Sequence, residues 1–365
     1  MILDFYFARR FVQSFLTIGA VFLTLILLID LIEQLRRFEG VEVRFGQLFR
    51  LTLLNAPAAL SEILPLLMIL STIVLFVGLA RSSELVVTRA AGRSGIRALT
   101  APVAVALLIG GLAVSTLNPI VAATSNRYRQ LSDTYRTGGP SVVSLTGEGV
   151  WLRQGSERGQ SVIHATGYSG DPITLLDVTI VSYAPGGGPV RQIIAESAAL
   201  EPDAWQLNHA KVWPLTPGLN PEITSSTHET LRIPTTLTEE RVRDSLGSPS
   251  GISIYDLPQT MRQLNEAGFS TRRHQVWFQA ELARPLFLVA MVLVGAAFTM
   301  RHARLGGIGV SVLASVLLGF ALYFIRNFAQ ILGENGQIPV PLAAWAPPVA
   351  AILLTYGLLL HAEDG

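Results

Sequence analysis

The chain has 365 residues, of which half are apolar and 15% charged, and its mean hydropathy of +0.45 is too high for a water-soluble domain of ordinary composition. Its 27 basic and 26 acidic residues leave a formal net charge of +1, which offers no field to attract a nucleic acid. With no cysteine it can build neither a disulfide framework nor a thiolate metal site.

A helix rises about 1.5 Å per residue, so about 20 apolar residues cross a hydrocarbon core of about 30 Å, and the backbone satisfies itself in lipid only by coiling. Five charge-free apolar runs meet that requirement, at residues 11–29, 63–80, 98–117, 306–325 and 339–360. A sixth, residues 285–300, is shorter and reads as the upper part of a helix that begins near His274 and bends at Pro285. The first run is not followed by a small-residue cleavage site but by Asp30, Glu33, Arg36 and Arg37, which argues against a cleaved signal peptide. Glu62 falls just outside the second run, at an interface position.

Between the second and third runs, residues 81–97 read RSSELVVTRAAGRSGIR. Ser82 or Ser83 can cap a short helix with Glu84 in its first turn, and Gly92 is a natural stop. A simple reversal needs only a few polar residues, whereas this segment places Leu85, Val86 and Val87 away from lipid. Two readings stay open: a helix that docks in a partner's groove, or an interfacial turn in which Arg81 and Glu84 form an exposed i,i+3 pair.

From residue 127 to 273 the pattern changes. Gly and Pro clusters separate runs rich in β-branched and aromatic residues, at 161–168, 173–183 and 205–213, which predicts an antiparallel β domain. In 173–183, Ile173, Leu175, Val181 and Tyr183 share one phase while Leu176, Val178 and Ile180 occupy the other. That pattern reads as a strand apolar on both faces, as in a sandwich or groove. Residues 238–258 are polar, and 257–267 read as a short amphipathic helix leading back to the membrane. Eight arginines, Arg9, Arg10, Arg81, Arg89, Arg93, Arg97, Arg301 and Arg304, lie on the side of the membrane shared by the termini, against Arg36, Arg37, Arg44, Arg50 and Arg326 in the opposite short loops. The positive-inside rule therefore favours an outside β domain only slightly.

No nucleotide site is legible. A P-loop needs Gly-Lys followed by Ser or Thr, and the single lysine, Lys211, follows Ala210 in a predicted strand. The six histidines show no metal-binding pairing, and no nucleophile elbow is present.

SELVVTRAAG at residues 83–92, the six-span plan with its β insertion, and RHQVWFQAELARPL at 273–286 resemble the LptF/LptG permease family of lipopolysaccharide export. The short tail from His361 and the Ser-Glu-Leu-Val-Val wording are closer to the G branch. The resemblance implies a polytopic α-helical membrane protein of the bacterial inner membrane with a periplasmic, jellyroll-like antiparallel β domain. Residues 1–126 would hold the first three spans, with a cytoplasmic coupling helix at 81–92. The β domain would occupy 127–254, an amphipathic return linker 255–273 and the last three spans 274–365. It further implies an LptF-like permease partner, a dimeric LptB-like ATPase that binds ATP and magnesium, and an LptC-like single-span jellyroll protein, with no cofactor in this chain. Arg81, Glu84, Leu85 and Arg89 would couple to the ATPase. Lipid A carries phosphates beside acyl chains, and Arg suits bidentate phosphate binding. Arg36, Arg37, Arg127, Arg129 and Arg326 are thus the lipid-binding candidates, with ordinary headgroup snorkelling as the alternative for each. Asp30 is a departure, an anion where a cation is expected, and would need a partner such as an arginine of the other permease subunit. Two other functions also fit the plan: a permease for another lipid or a lipoprotein, and a membrane receptor with a sensing β domain.

Overall fold

The structure is a computed structural model that describes residues 2–40, 43–90, 94–137, 143–146, 149–156, 159–169, 174–184, 188–215, 218, 220–235, 249–266, 270–300 and 308–364. In chain order the helices are α1 (Ile2–Arg37), α2 (Phe45–Arg81), α3 (Glu84–Ala90), α4 (Gly95–Leu112) and α5 (Asn118–Thr137), then α6 (Leu257–Glu266), α7 (Arg272–Thr299), α8 (Ile308–Glu334) and α9 (Val340–Asp364). A single π-helical turn, Ala113–Leu117, joins α4 to α5. Six of these stretches are long and apolar enough to cross a membrane: α1, α2, α4 running into α5, α7, α8 and α9.

The helices outrun the apolar runs that predict them. α1 extends past the charge-free core to Arg36 and Arg37, cations that suit the negative end of its dipole. α7 begins at Arg272, close to the predicted start, and keeps Pro285 inside the helix. Pro285 sits against α4 at Gly110, where an added Cβ would come within 2.6 Å of the proline Cα. Small residues buy this closeness elsewhere too: a Cβ at Gly295 would meet Thr72 at 2.7 Å, and one at Gly333 would meet Ala343 at 2.5 Å. α7 is the central helix, with Phe287 to Ala297 buried on every side.

The chain divides into two compact units, Met1–Tyr128 with Ser253–Tyr255 and Arg272–Gly365, and Arg129–Ile252 with Asp256–Thr271. The second is built on one seven-stranded antiparallel sheet whose strands neighbour one another in chain order. They are β1 (Val143–Thr146), β2 (Gly149–Ser156), β3 (Gly159–Ser169), β4 (Thr174–Tyr183), β5 (Pro189–Glu201), β6 (Ala204–Pro214) and β7 (Ser226–Pro234). Its core gathers Leu152, Ile163, Leu175, Val178, Ile193 and Trp205, and Leu264 of α6 joins them, which gives the apolar face of that helix its partner.

The two-phase pattern of β4 has a different cause from the one predicted. Leu175 is buried, Leu176 and Asp177 are exposed, and Val178 and Ile180 are buried, so the buried series slips by one residue at Asp177. Asp177 has φ +49°, and His209 of β6 has φ +51°. The pairing aligns Thr166, Asp177, Glu196, His209 and Glu229 in one row across β3 to β7. β5 slips there, burying Ile193 and Ala195 on one side of the row and Ala198 on the other. β6 does likewise, with Trp205 and Leu207 before the row and Ala210 and Val212 after it. A left-handed residue turns the strand so that the next side chain falls on the face the alternation had left. The row is polar because its side chains face away from the core: Thr166 donates to Asp177 at 2.9 Å, and His209 pairs with Glu196 at 3.1 Å.

Candidate functional site

Two polar constellations interrupt the apolar helix bundle. The first surrounds α3. α2 ends at Ser82, and Ser83 takes a positive φ of 58° before α3 begins. Ser82 donates its hydroxyl to Glu84 Oε1 at 2.8 Å, so it supports the helix start as a donor. Glu84 Oε2 accepts from Tyr6 Oη at 2.8 Å. Arg10 Nη1 reaches Glu84 Oε1 at 3.2 Å and Oε2 at 3.3 Å. The Arg10 guanidinium also lies 5.1 Å from the Tyr6 ring centroid. The predicted Arg81–Glu84 pair is thereby replaced by a tertiary one, while Arg81 is exposed at the end of α2. Desolvation against α1 pushes the Glu84 carboxyl up, and the hydrogen bonds from Tyr6 and Ser82 with the Arg10 charge outweigh it, holding the carboxyl below the usual carboxylate range. Val87 is 68% exposed and Thr88 is buried, so α3 presents one apolar side chain outward and holds the next inward. Leu85 and Arg89 lie on α3, but their side chains fall outside the described residues.

Below this cluster a cleft of about 340 Å³ separates α1 from α2. Arg10, Gln13, Ser14 and Thr17 line it from α1, opposite Val74, Leu75 and Gly78 of α2. Phe7 and Phe11 fasten the same part of α1 into the core on its other side.

The second constellation is buried between α2, α5, α7 and α8. Arg284 pairs with Glu281 at 2.8 Å, their side chains 15% and 4% exposed, and donates to Ser61 Oγ at 2.8 Å. Asn118, the first residue after the π turn, donates to Glu281 at 3.4 Å and accepts from the Ile254 backbone N–H at 2.9 Å. The turn also frees the Ser115 carbonyl to accept from Tyr255 Oη at 3.0 Å. Arg326 is buried inside α8, well before its end at Glu334, instead of in the loop where sequence placed it. Its guanidinium lies 5.0 Å from the Phe287 ring centroid, within electrostatic reach of Arg284 and Glu281. Glu281 pairs with Arg284, and among the described residues Arg326 has no ion pair of its own.

The other lipid-binding candidates stand elsewhere. Arg37 donates to Tyr128 Oη at 3.0 Å, as does Gln34 at 2.9 Å, which ties the end of α1 to α5. Arg36, Arg127 and Arg129 are exposed. Asp30 is held by Asn55 at 2.8 Å through one oxygen, and its other oxygen is buried with no hydrogen-bond partner among the described residues. Glu62 is exposed at the rim of an apolar cleft of about 210 Å³ lined by Met291, Phe320 and Tyr323.

Sequence reasoning missed Tyr6, Arg10, Glu281, Arg284 and Asn118. Arg10, Gln13, Ser14 and Thr17 recur at helical spacing inside an apolar helix, which is a legible polar stripe. Glu281 and Arg284 are an i,i+3 pair inside the RHQVWFQAELARPL segment, hidden by counting the fourth span from Pro285.

Over residues 5–361 the sequence matches the model of a family described as the lipopolysaccharide export system permease LptF/LptG. It is 24% identical over 371 residues to the lipopolysaccharide export system permease protein LptG of Haemophilus influenzae, covering 95% of this chain and 96% of that protein. It is likewise 24% identical over 323 residues to LptG of Escherichia coli K12, covering 85% and 84% respectively. With six membrane-length helices, an inserted antiparallel sheet and a family match that leaves out only the chain's extreme ends, this protein belongs to the LptF/LptG family of lipopolysaccharide export permeases.

Proposed function

We propose that the chain is the G-type permease subunit of an ATP-driven exporter that lifts lipopolysaccharide out of the outer leaflet of the inner membrane and hands it to a periplasmic β bridge. The observation that carries the reading is family membership over residues 5–361, together with relatives of the G type that align across most of their length. The β domain stands in the periplasm and α3 faces the cytosol. An LptB-like ATPase dimer, holding ATP and magnesium, docks on α3 around exposed Val87. An LptF-like subunit and an LptC-like single-span protein complete the assembly. α1 and α8 each carry an unpacked apolar face, with Leu16, Leu25 and Leu28 on one and Leu313, Leu317 and Phe324 on the other, suited to acyl chains or the second permease subunit. Arg326, a buried cation with no ion pair among the described residues, is the site best suited to a lipid A phosphate, with Arg36, Arg37, Arg127 and Arg129 as further contacts.

The test is purification with co-expressed partners and reconstitution in vesicles containing lipopolysaccharide. ATP-dependent release of lipopolysaccharide to an acceptor, abolished by Glu84→Ala, is the expected result. Failure of any ATPase to co-purify, or release that persists in Glu84→Ala, overturns the coupling assignment.

A further inference from the structure

Tyr6 and Arg10 lie on α1, outside α3, yet they hold the one acidic side chain of α3. We propose that Tyr6, Arg10 and Glu84 form a clamp that delivers displacement of α3 to α1, which makes Tyr6 and Arg10 positioning residues for transport. The proposal rests on the reading of α3 as the ATPase-docking helix and specifies where its motion goes.

Three observations carry it. First, both carboxylate oxygens are occupied by this chain's own donors: Oε2 takes Tyr6 and Arg10, and Oε1 takes Arg10 and Ser82. The side chain is thus tied to α1 by its own chain's donors, while Val87 remains outward. Second, the covalent joint between α2 and α3 is not a continuous helix. It passes through Ser83 at φ +58°, a swivel that transmits torque poorly, whereas charge-assisted hydrogen bonds from two donors, Tyr6 and Arg10, join α3 to a helix more than 70 residues away in sequence. Third, α1 is anchored near the clamp by Phe7 and Phe11, while none of its most apolar stretch is buried. Beside those buried phenylalanines a cleft of about 340 Å³, lined by Arg10, Gln13 and Thr17, separates α1 from α2, so a pull on Glu84 can pivot α1 about them. Arg10, stacked on Tyr6, keeps the two donors preset for one carboxylate. α1 is thus the helix that α3 can move.

The experiment uses the complete exporter in proteoliposomes and records assembly, ATP hydrolysis and lipopolysaccharide released per ATP. The Tyr6→Phe/Arg10→Gln double variant is expected to assemble and to hydrolyse ATP within about twofold of wild type. It should lose about tenfold in lipid released per ATP, the loss expected for one charge-assisted hydrogen bond or more. Arg10→Lys, which keeps the charge, should recover release to within about twofold. If the double variant fails to assemble, Tyr6→Phe alone decides, removing a single hydroxyl for a loss of about fivefold. Full coupling in the double variant, or in Tyr6→Phe where that variant decides, overturns the clamp. A Val87→Cys chain, otherwise wild type, separates the two levels of the argument. Cross-linking to the ATPase is expected, and if it is absent while export is intact, the docking reading fails and the clamp with it.

Discussion

Glu281→Leu should be among the most destabilising single changes in the membrane unit. Glu281 is 3% exposed, pairs with Arg284 at 2.8 Å and receives Asn118, and among the described residues it is the carboxylate in electrostatic reach of both Arg284 and Arg326. Removing it leaves Arg284 without its ion pair, within electrostatic reach of a second buried guanidinium, Arg326. Breaking a buried pair in this way costs about 3–5 kcal/mol, or roughly 10² to 10⁴ in the ratio of folded to unfolded protein. The double variant Glu281→Leu/Arg284→Met removes one of those guanidiniums and fills the volume with apolar groups, so it should regain about 2–4 kcal/mol of that loss, because a buried pair contributes little beyond its apolar replacement. Chemical unfolding of the purified chain in bicelles, with the Arg284→Met single variant completing the cycle, measures the coupling directly. A cost under about 1 kcal/mol for Glu281→Leu, or additive losses in the double variant, would refute the pairing as described.

Gly110→Val sets a Cβ within 2.6 Å of the Pro285 backbone, which cannot swing aside, and should cost about 1–3 kcal/mol in the same assay. Gly111→Ala next to it meets nothing within 4 Å and should be neutral or slightly stabilising. On the β row, His209→Gly should lose little in thermal stability, since glycine accepts φ +51° and the exposed pair with Glu196 is weak, whereas His209→Val should cost about 1–2 kcal/mol. Hydrogen bonds from Lys211 and Trp213 hold the Glu222 carboxyl below its ordinary value of 4.5. Its contribution is therefore complete above that pH and fades as pH falls through the lowered value. The difference in melting temperature between wild type and Glu222→Gln should be constant above pH 4.5 and shrink below it; a difference that grows on acidification contradicts the sign.

The membrane plan was legible because a lipid solvent forbids charges in long runs, and the cores of all six spans fall where the runs are. Their ends were not, because a helix continues into the polar zone and a charge ends an apolar count without ending a helix. Arg326 shows this: it closes the fifth apolar run yet lies within α8, buried against Phe287. The strands were legible in outline, but a sequence pattern of two phases carries no sign of the left-handed residue that joins them. Asp177 and His209 therefore turned one buried face into an apparent pair of faces. Glu84 was found from its place in a short helix. Its partners Tyr6 and Arg10 lie 78 and 74 residues away, and local spacing cannot bring them together.

In the proposed function force enters at α3 and lipid leaves through the β domain, which requires those two parts to lie on opposite sides of the membrane. Because the chain has no cysteine, single thiols at Val87, 68% exposed on α3, and at Ile223, 82% exposed in the second unit, report on this without background. In intact spheroplasts a membrane-impermeant maleimide should label Ile223→Cys at once and Val87→Cys only after permeabilisation. Labelling of Val87→Cys with Ile223→Cys protected, or of both before permeabilisation, would contradict the account.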